Sequence, residues 1–260
     1  MPLFGTIASA KRLYYTHELL HLTPTYWWTL NDSSISNVVI SGDTITSIAS
    51  GGSEPTTVTT AGTGVTSVID NDNRYFYGSD SSGRLAASSM PTAYGNGTSV
   101  AIIGRVKATS PWNAAYFFDG DLSGSPRVSM SFDSFGQDIG AGEWSIHSGY
   151  TYGLNSNDST MGGRLNSSTH TVALWYAYFG GTSSFGSWSS VSTDTVNTQI
   201  INNSSSASTS TAAEIILGNR HSYNRADATV QIAEVIMFCG KELSSGERTK
   251  VWEYFNFNYT

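Results

Sequence analysis

Apolar side chains occupy both faces of the segment Gln231 to Phe238, where Ile232, Val235, Ile236 and Phe238 break simple alternation. A strand of that kind is covered on both sides, by another sheet face and by a further element. The period then changes. In Leu243 to Phe255, Val251, Tyr254 and Phe255 fall at i, i+3 and i+4, with Lys250 and Glu253 outside the stripe. That spacing predicts a short amphipathic helix. Ser244 and Glu247 stand at the S-x-x-E spacing of a capping box, which fixes its start.

Further strands are predicted at Ser99 to Lys107, Ala114 to Asp119, Arg127 to Phe132, Glu143 to His147, Thr171 to Phe179 and Glu214 to Gly218, separated by Gly-, Ser- or Asn-rich turns. Thr171 to Phe179 is apolar nearly throughout, as expected of a central strand. Asn202 to Thr211 is low in complexity and predicts a solvated loop. Residues 1–23 differ from the rest. Lys11 to Leu22 is charged and compatible with a helix, and Pro24 closes it. The expected organisation is an N-terminal arm or docking segment over 1–23 and one β domain over 24–260.

Composition sharpens this picture. Ser, Thr, Gly and Asn make up about two-fifths of the 260 residues, against 13% charged residues, so the surface is largely neutral and polar. The 7 Trp, 14 Tyr and 11 Phe supply a core and argue against disorder. A net charge of -7 without basic clusters argues against a nucleic-acid partner. No apolar run approaches the length of a membrane span, so no membrane partner is expected. Cys239 is the sole cysteine and forms no intrachain disulfide. In the N-terminal MPLFGTIASAKRLYY the basic pair follows the apolar stretch, unlike a secretory signal, which points to folding in a reducing cytoplasm.

The C-terminal pair of elements resembles the closing signature of concanavalin A-like and laminin G-like jelly-roll domains. There a strand of the type I-A-E-V-I precedes L-S-x-x-E-R and an aromatic helix end; here these are Ile232 to Ile236, Leu243 to Arg248, and Tyr254. Pro24 to Ser34 resembles the opening of such domains, Ile40 to Ile48 the hairpin that follows, and Arg74 to Gly78 with Leu85 a later strand and turn. Ile48 stands where a Trp is usual, and Tyr77 where an Asp is usual. The resemblance implies an all-β, two-sheet antiparallel jelly-roll sandwich with a short C-terminal helix. It carries no catalytic residue.

Chemistry-bearing motifs are few. Hydrolytic jelly rolls carry an E-x-D-x-x-E strand, which is absent. Glu143 lies beside Trp144 with no carboxylate two or five positions on. No G-x-S-x-G occurs. His17-Glu18-Leu19-Leu20-His21 matches H-E-x-x-H, but Pro24 follows closely and no third ligand is apparent. The expectation is therefore a protein that is not an enzyme and needs no cofactor. If calcium is bound, Asp70 and Asp72 in Asp70-Asn71-Asp72-Asn73 are the candidate ligands, although Asx turns explain such residues without an ion. Trp112, Tyr150, Tyr152 and Trp188 are the candidate aromatic platforms for a glycan.

These features together suggest a virion structural protein, such as a bacteriophage capsid decoration protein, made in the host cytoplasm and released by lysis. Lys11, Arg12, Tyr14, Tyr15, Leu19 and Leu22 would then dock on the major capsid or another virion protein. Homo-oligomerisation through sheet edges is expected as well. The alternative is a carbohydrate-binding adhesin or receptor-binding fibre module that recognises host surface glycan.

Overall fold

The computed structural model of the chain describes residues 13–62, 64–78, 83–106, 115–120, 128–133, 143–148, 155–156, 171–179, 184–189, 211–219 and 230–259. These residues form a mostly antiparallel β structure with a curled sheet and a short C-terminal helix.

Val230–Phe238 organises the fold, and all nine of its residues are buried. It pairs antiparallel with Thr98–Val106, with Tyr26–Thr29 and, at Ile232 opposite Phe76, with Asn73–Gly78. Its apolar side chains divide between two cores. Val230, Ile232, Val235 and Met237 join one; Ala233, Ile236 and Phe238 join the other. The register shifts between Ile232 and Glu234 against Thr98–Val106. A bulge of that kind moves the side chains after it to the other face, which explains the imperfect alternation in the sequence.

Thr171–Phe179 repeats the division without a bulge. Ala173, Trp175, Ala177 and Phe179 face the first core, while Leu174 and Tyr176 face the second. Full burial of one large apolar side chain contributes about 1.5–3 kcal/mol, so a strand buried on both faces is a strong anchor.

The sheet curls where one strand serves two partners. Thr44–Ala49 pairs through Ser47 to Ala49 with Thr57–Ala61, and through Thr44 and Ile45 with Val65–Asp70. Strands far apart along the sheet thereby face one another. The Phe117 ring lies 4.7 Å from that of Trp175, centroid to centroid, and Phe118 lies 6.1 Å from Phe179. Around them Tyr26, Trp28, Ile48, Val58, Leu85 and Met130 complete the first core.

The second core lies between the other face of the sheet and the helices. The C-terminal helix, Ser245–Tyr259, buries Val251, Tyr254, Phe255 and Tyr259. Its start has the predicted capping box. The Ser244 N–H donates to Glu247 Oε2 at 2.8 Å, and the Glu247 N–H donates to Ser244 Oγ at 3.3 Å. The helix runs one turn beyond the predicted end, because Tyr259 is buried and donates its hydroxyl to Glu234 Oε1 at 2.5 Å.

Residues 13–20 form a helix that packs beside it, with Leu19 and Leu22 buried in the second core. Thr23 ends this helix at a φ of 55°, and Pro24 follows. No helix among the described residues is long and apolar enough to cross a membrane.

Candidate functional site

Ala115–Asp119, Val128–Asp133 and Glu143–Ser148 lie side by side in antiparallel register. Phe118, Val128 and Met130 belong to the first core. Strand alternation therefore places Asp119 on the face away from that core. The register aligns the three strands position by position. Asp119 is opposite Ile216 on one side and Ser129 on the other, and Ser129 is opposite His147. Asp133 is opposite Glu143. Two acidic positions are thus register partners across one strand pair.

Tyr116, Asp119 and Ile216 are buried although they lie on this face. A buried carboxylate is costly unless its surroundings answer it. Asp119 is also the largest electrostatic influence on Tyr94, whose hydroxyl is pushed well above its usual range, chiefly by burial. Arg84 occupies the same face, since its neighbours Leu85 and Ala87 belong to the first core. The buried Arg84 Nε has no hydrogen-bond partner among the described residues. Asp119, Tyr116 and Arg84 thus share one sheet face.

Within its own strand Glu143 has no second carboxylate two or five positions on, and the sequence by itself sets it aside as a strand-edge charge. Asp133 stands opposite it on the neighbouring strand, across the 134–142 connection. Hairpin pairing of the two predicted strands was the one signal that could have found it.

The other candidate positions fall elsewhere. Asp70 and Asn73 close the Val65–Asp70 and Asn73–Gly78 hairpin, with Asn71 and Asp72 at φ of 48° and 64°. Two positive φ values make a type I′ turn, for which Asn and Asp are suited without any ion. The Asp70 carboxylate forms an ion pair with Arg105. The same guanidinium donates from Nε to Gln231 Oε1 at 2.5 Å and lies 4.6 Å from the Tyr75 ring centroid. Burial pushes the Tyr75 hydroxyl up to about 12. No group of three or more His, Cys, Asp or Glu that could hold a metal occurs among the described residues.

Trp112, Tyr150 and Tyr152 lie outside the described residues, as do Lys11 and Arg12. Trp188 is opposite Leu174 in the sheet register. Of the expected docking residues, Leu19 and Leu22 are buried against the protein's own C-terminal helix and sheet. The Tyr15 ring packs against Phe257 at 5.2 Å, tilted by 34°, while Tyr14 is 58% exposed. Glu18 of the H-E-x-x-H string pairs with Lys250 at 2.8 Å, which holds its carboxyl below the usual range.

No family model matches the chain. No curated protein matches it. Solved structures do. An arabinofuranosidase complexed with arabinofuranosyl-α-1,2-xylobiose aligns with a TM-score of 0.59 at 12% identity, covering 90% of this chain and 59% of that one. A GH54 α-L-arabinofuranosidase soaked with a cyclic sulfate inhibitor aligns at 0.57 and 10% identity, with the same coverage. A Trypanosoma rangeli sialidase in complex with sialic acid reaches 0.49 at 10% identity, covering 96% of this chain and 39% of that one. The chain spans about 59% of the length of the arabinofuranosidases.

The likeness is one of fold. It corrects one expectation nonetheless. The chain was expected not to be an enzyme, on the ground that a jelly roll without E-x-D-x-x-E lacks a carboxylate pair. Glycosidases share its fold, and an acidic pair is present in register across two strands.

Proposed function

We propose that this chain is a carbohydrate-active domain in which the curled sheet closes as a two-sheet jelly-roll sandwich. The three-strand region that carries Asp119, Asp133, Glu143 and His147 receives the glycan. The observation that carries the proposal is the backbone register that sets Asp133 opposite Glu143, beside the strand that holds the buried Asp119.

Acidic residues directly opposed across a strand pair are unfavourable in an ordinary sheet. They are what glycosidic cleavage uses, one as acid and the other as nucleophile or base. Carboxylates and a guanidinium also supply the hydrogen bonds that sugar hydroxyls accept and donate. The arabinofuranosidase likeness supports a pentofuranosyl-containing oligosaccharide as the first ligand to try.

The purified chain should be screened against a glycan array and against aryl α-L-arabinofuranosides. Turnover that Glu143→Gln and Asp133→Asn each abolish, or binding that each weakens by roughly tenfold or more, is the expected result. Absence of both binding and turnover across the whole panel would overturn the proposal.

The virion-surface placement is a separate proposal about location, motivated by the neutral, Ser- and Thr-rich composition. A glycan-recognising domain suits that location. Mass spectrometry of purified particles tests it, and detection only in the free soluble fraction contradicts it.

A further inference from the structure

His17 and His21 stand one helical turn apart, and the His21 N–H donates to the His17 carbonyl at 3.0 Å. Both residues are exposed, with ring centroids 4.3 Å apart and ring planes at 85°. Glu18, between them in sequence, is committed to Lys250 at 2.8 Å. The H-E-x-x-H string is therefore without its carboxylate base, which removes the peptidase chemistry that string suggests. A chelating imidazole pair is left.

We propose that His17 and His21 form a bidentate surface site for a divalent transition-metal ion that prefers nitrogen ligands, namely Cu²⁺, Ni²⁺ or Zn²⁺. Neutral imidazole is the commonest protein ligand for these ions. Residues at i and i+4 lie on one helix face and reach the same ion. Calcium and magnesium take six or more oxygen ligands and are not held by two imidazoles. Among the described residues no third His, Cys, Asp or Glu joins the pair, so water completes the coordination and the site is open.

The ion has a structural consequence. It clips the last turn of the helix that carries Leu19 and Leu22 into the second core, just before Thr23 and Pro24 end it. An ion that binds the folded chain and not the unfolded one raises stability by linkage.

The untagged full-length chain is titrated calorimetrically with Zn²⁺, Ni²⁺ and Cu²⁺, and with Ca²⁺ as a control. The expected result is one transition-metal ion per chain and no heat with Ca²⁺. His17→Ala or His21→Ala should weaken binding by at least the loss known for outer-sphere partners, roughly tenfold or more. The double variant should abolish it, and His221→Ala should leave it unchanged. Both histidines are exposed, so the variants should keep the wild-type circular dichroism spectrum. Spin resonance of the Cu²⁺ complex should show two imidazole nitrogens. A wild-type chain that binds none of the three ions, a double variant that binds as well as wild type, or a Cu²⁺ spectrum with fewer than two nitrogens overturns the proposal.

Discussion

The Trp27 indole N–H donates to Glu234 Oε2 at 2.7 Å, tying the first strand to the last beneath the C-terminal helix. Tyr254 and Tyr259 donate to Oε1 of the same carboxylate at 2.8 and 2.5 Å. Asn31 extends the network, donating to the Tyr259 hydroxyl at 3.0 Å while its Oδ1 accepts the Arg74 N–H at 2.7 Å. Glu234 is fully buried, so its charge is tolerable only because donors from strand and helix converge on it.

Glu234→Ala leaves buried donors without their acceptor, and each such group costs about 1–3 kcal/mol. The expected loss is therefore about 3 kcal/mol or more. Glu234→Gln keeps the volume but turns a donor toward donors, and should cost about 2 kcal/mol. Urea unfolding measures both. A loss below about 1 kcal/mol for the alanine variant would contradict the network as described.

The capping box predicts a pH dependence. Hydrogen bonds from Lys241 and then Ser244 hold the Glu247 carboxyl down at about 2. A depressed folded-state pKa gives stability that is present above the unfolded carboxylate value, about 4.3, and is lost as pH falls through the folded one. Glu247→Ala should thus cost about 1 kcal/mol at neutral pH. The difference from wild type should shrink between about pH 5 and pH 2. A constant difference across that window would sink the assignment.

Leu19 and Leu22, in and just after the N-terminal helix, belong to the fold's second core. Leu19→Ala should cost about 2–5 kcal/mol, as deletions of buried leucine do. A chain lacking residues 1–23 also loses Leu22 and the partner of Lys250, and should melt at a lower temperature. An unchanged melting temperature on truncation would show that this helix adds nothing to the domain.

Gly104 marks a close approach of two strands. A Cβ there would meet the Gln231 carbonyl oxygen at 2.6 Å. Backbone cannot yield as a flexible side chain can, so Gly104→Ala should destabilise by about 1–3 kcal/mol. Thermal melting of the variant tests this; wild-type stability would contradict the strand spacing.

What could be read from the sequence follows from how local each signal is. The Ser244–Glu247 cap, the stripe of Val251, Tyr254 and Phe255, and the two-sided burial of Thr171–Phe179 are set within a few residues. The Gly42 turn between Asn37–Ser41 and Thr44–Ala49 is equally local, with a φ of 62°. The curl is not, because it depends on Thr44–Ala49 serving two partners.

The Asp133 and Glu143 pair needs a register that no single-strand pattern contains. Asp70 to Asn73 offered the residues of either a turn or an ion site, and geometry alone distinguishes them. Leu19 and Leu22 formed a stripe whose partner, another protein or this chain's own helix, is invisible in the spacing.

The proposed carbohydrate contact is with the three strands that carry Asp119, Asp133, Glu143 and His147. Its most direct test is a calorimetric titration of an arabinofuranosyl oligosaccharide into wild type, Glu143→Gln, and Tyr14→Ala as a control on the exposed N-terminal helix. The expected result is binding that Glu143→Gln weakens by roughly tenfold or more, the cost of one charged hydrogen bond, and that Tyr14→Ala leaves untouched. Equal binding by wild type and Glu143→Gln, or none by wild type, would contradict it.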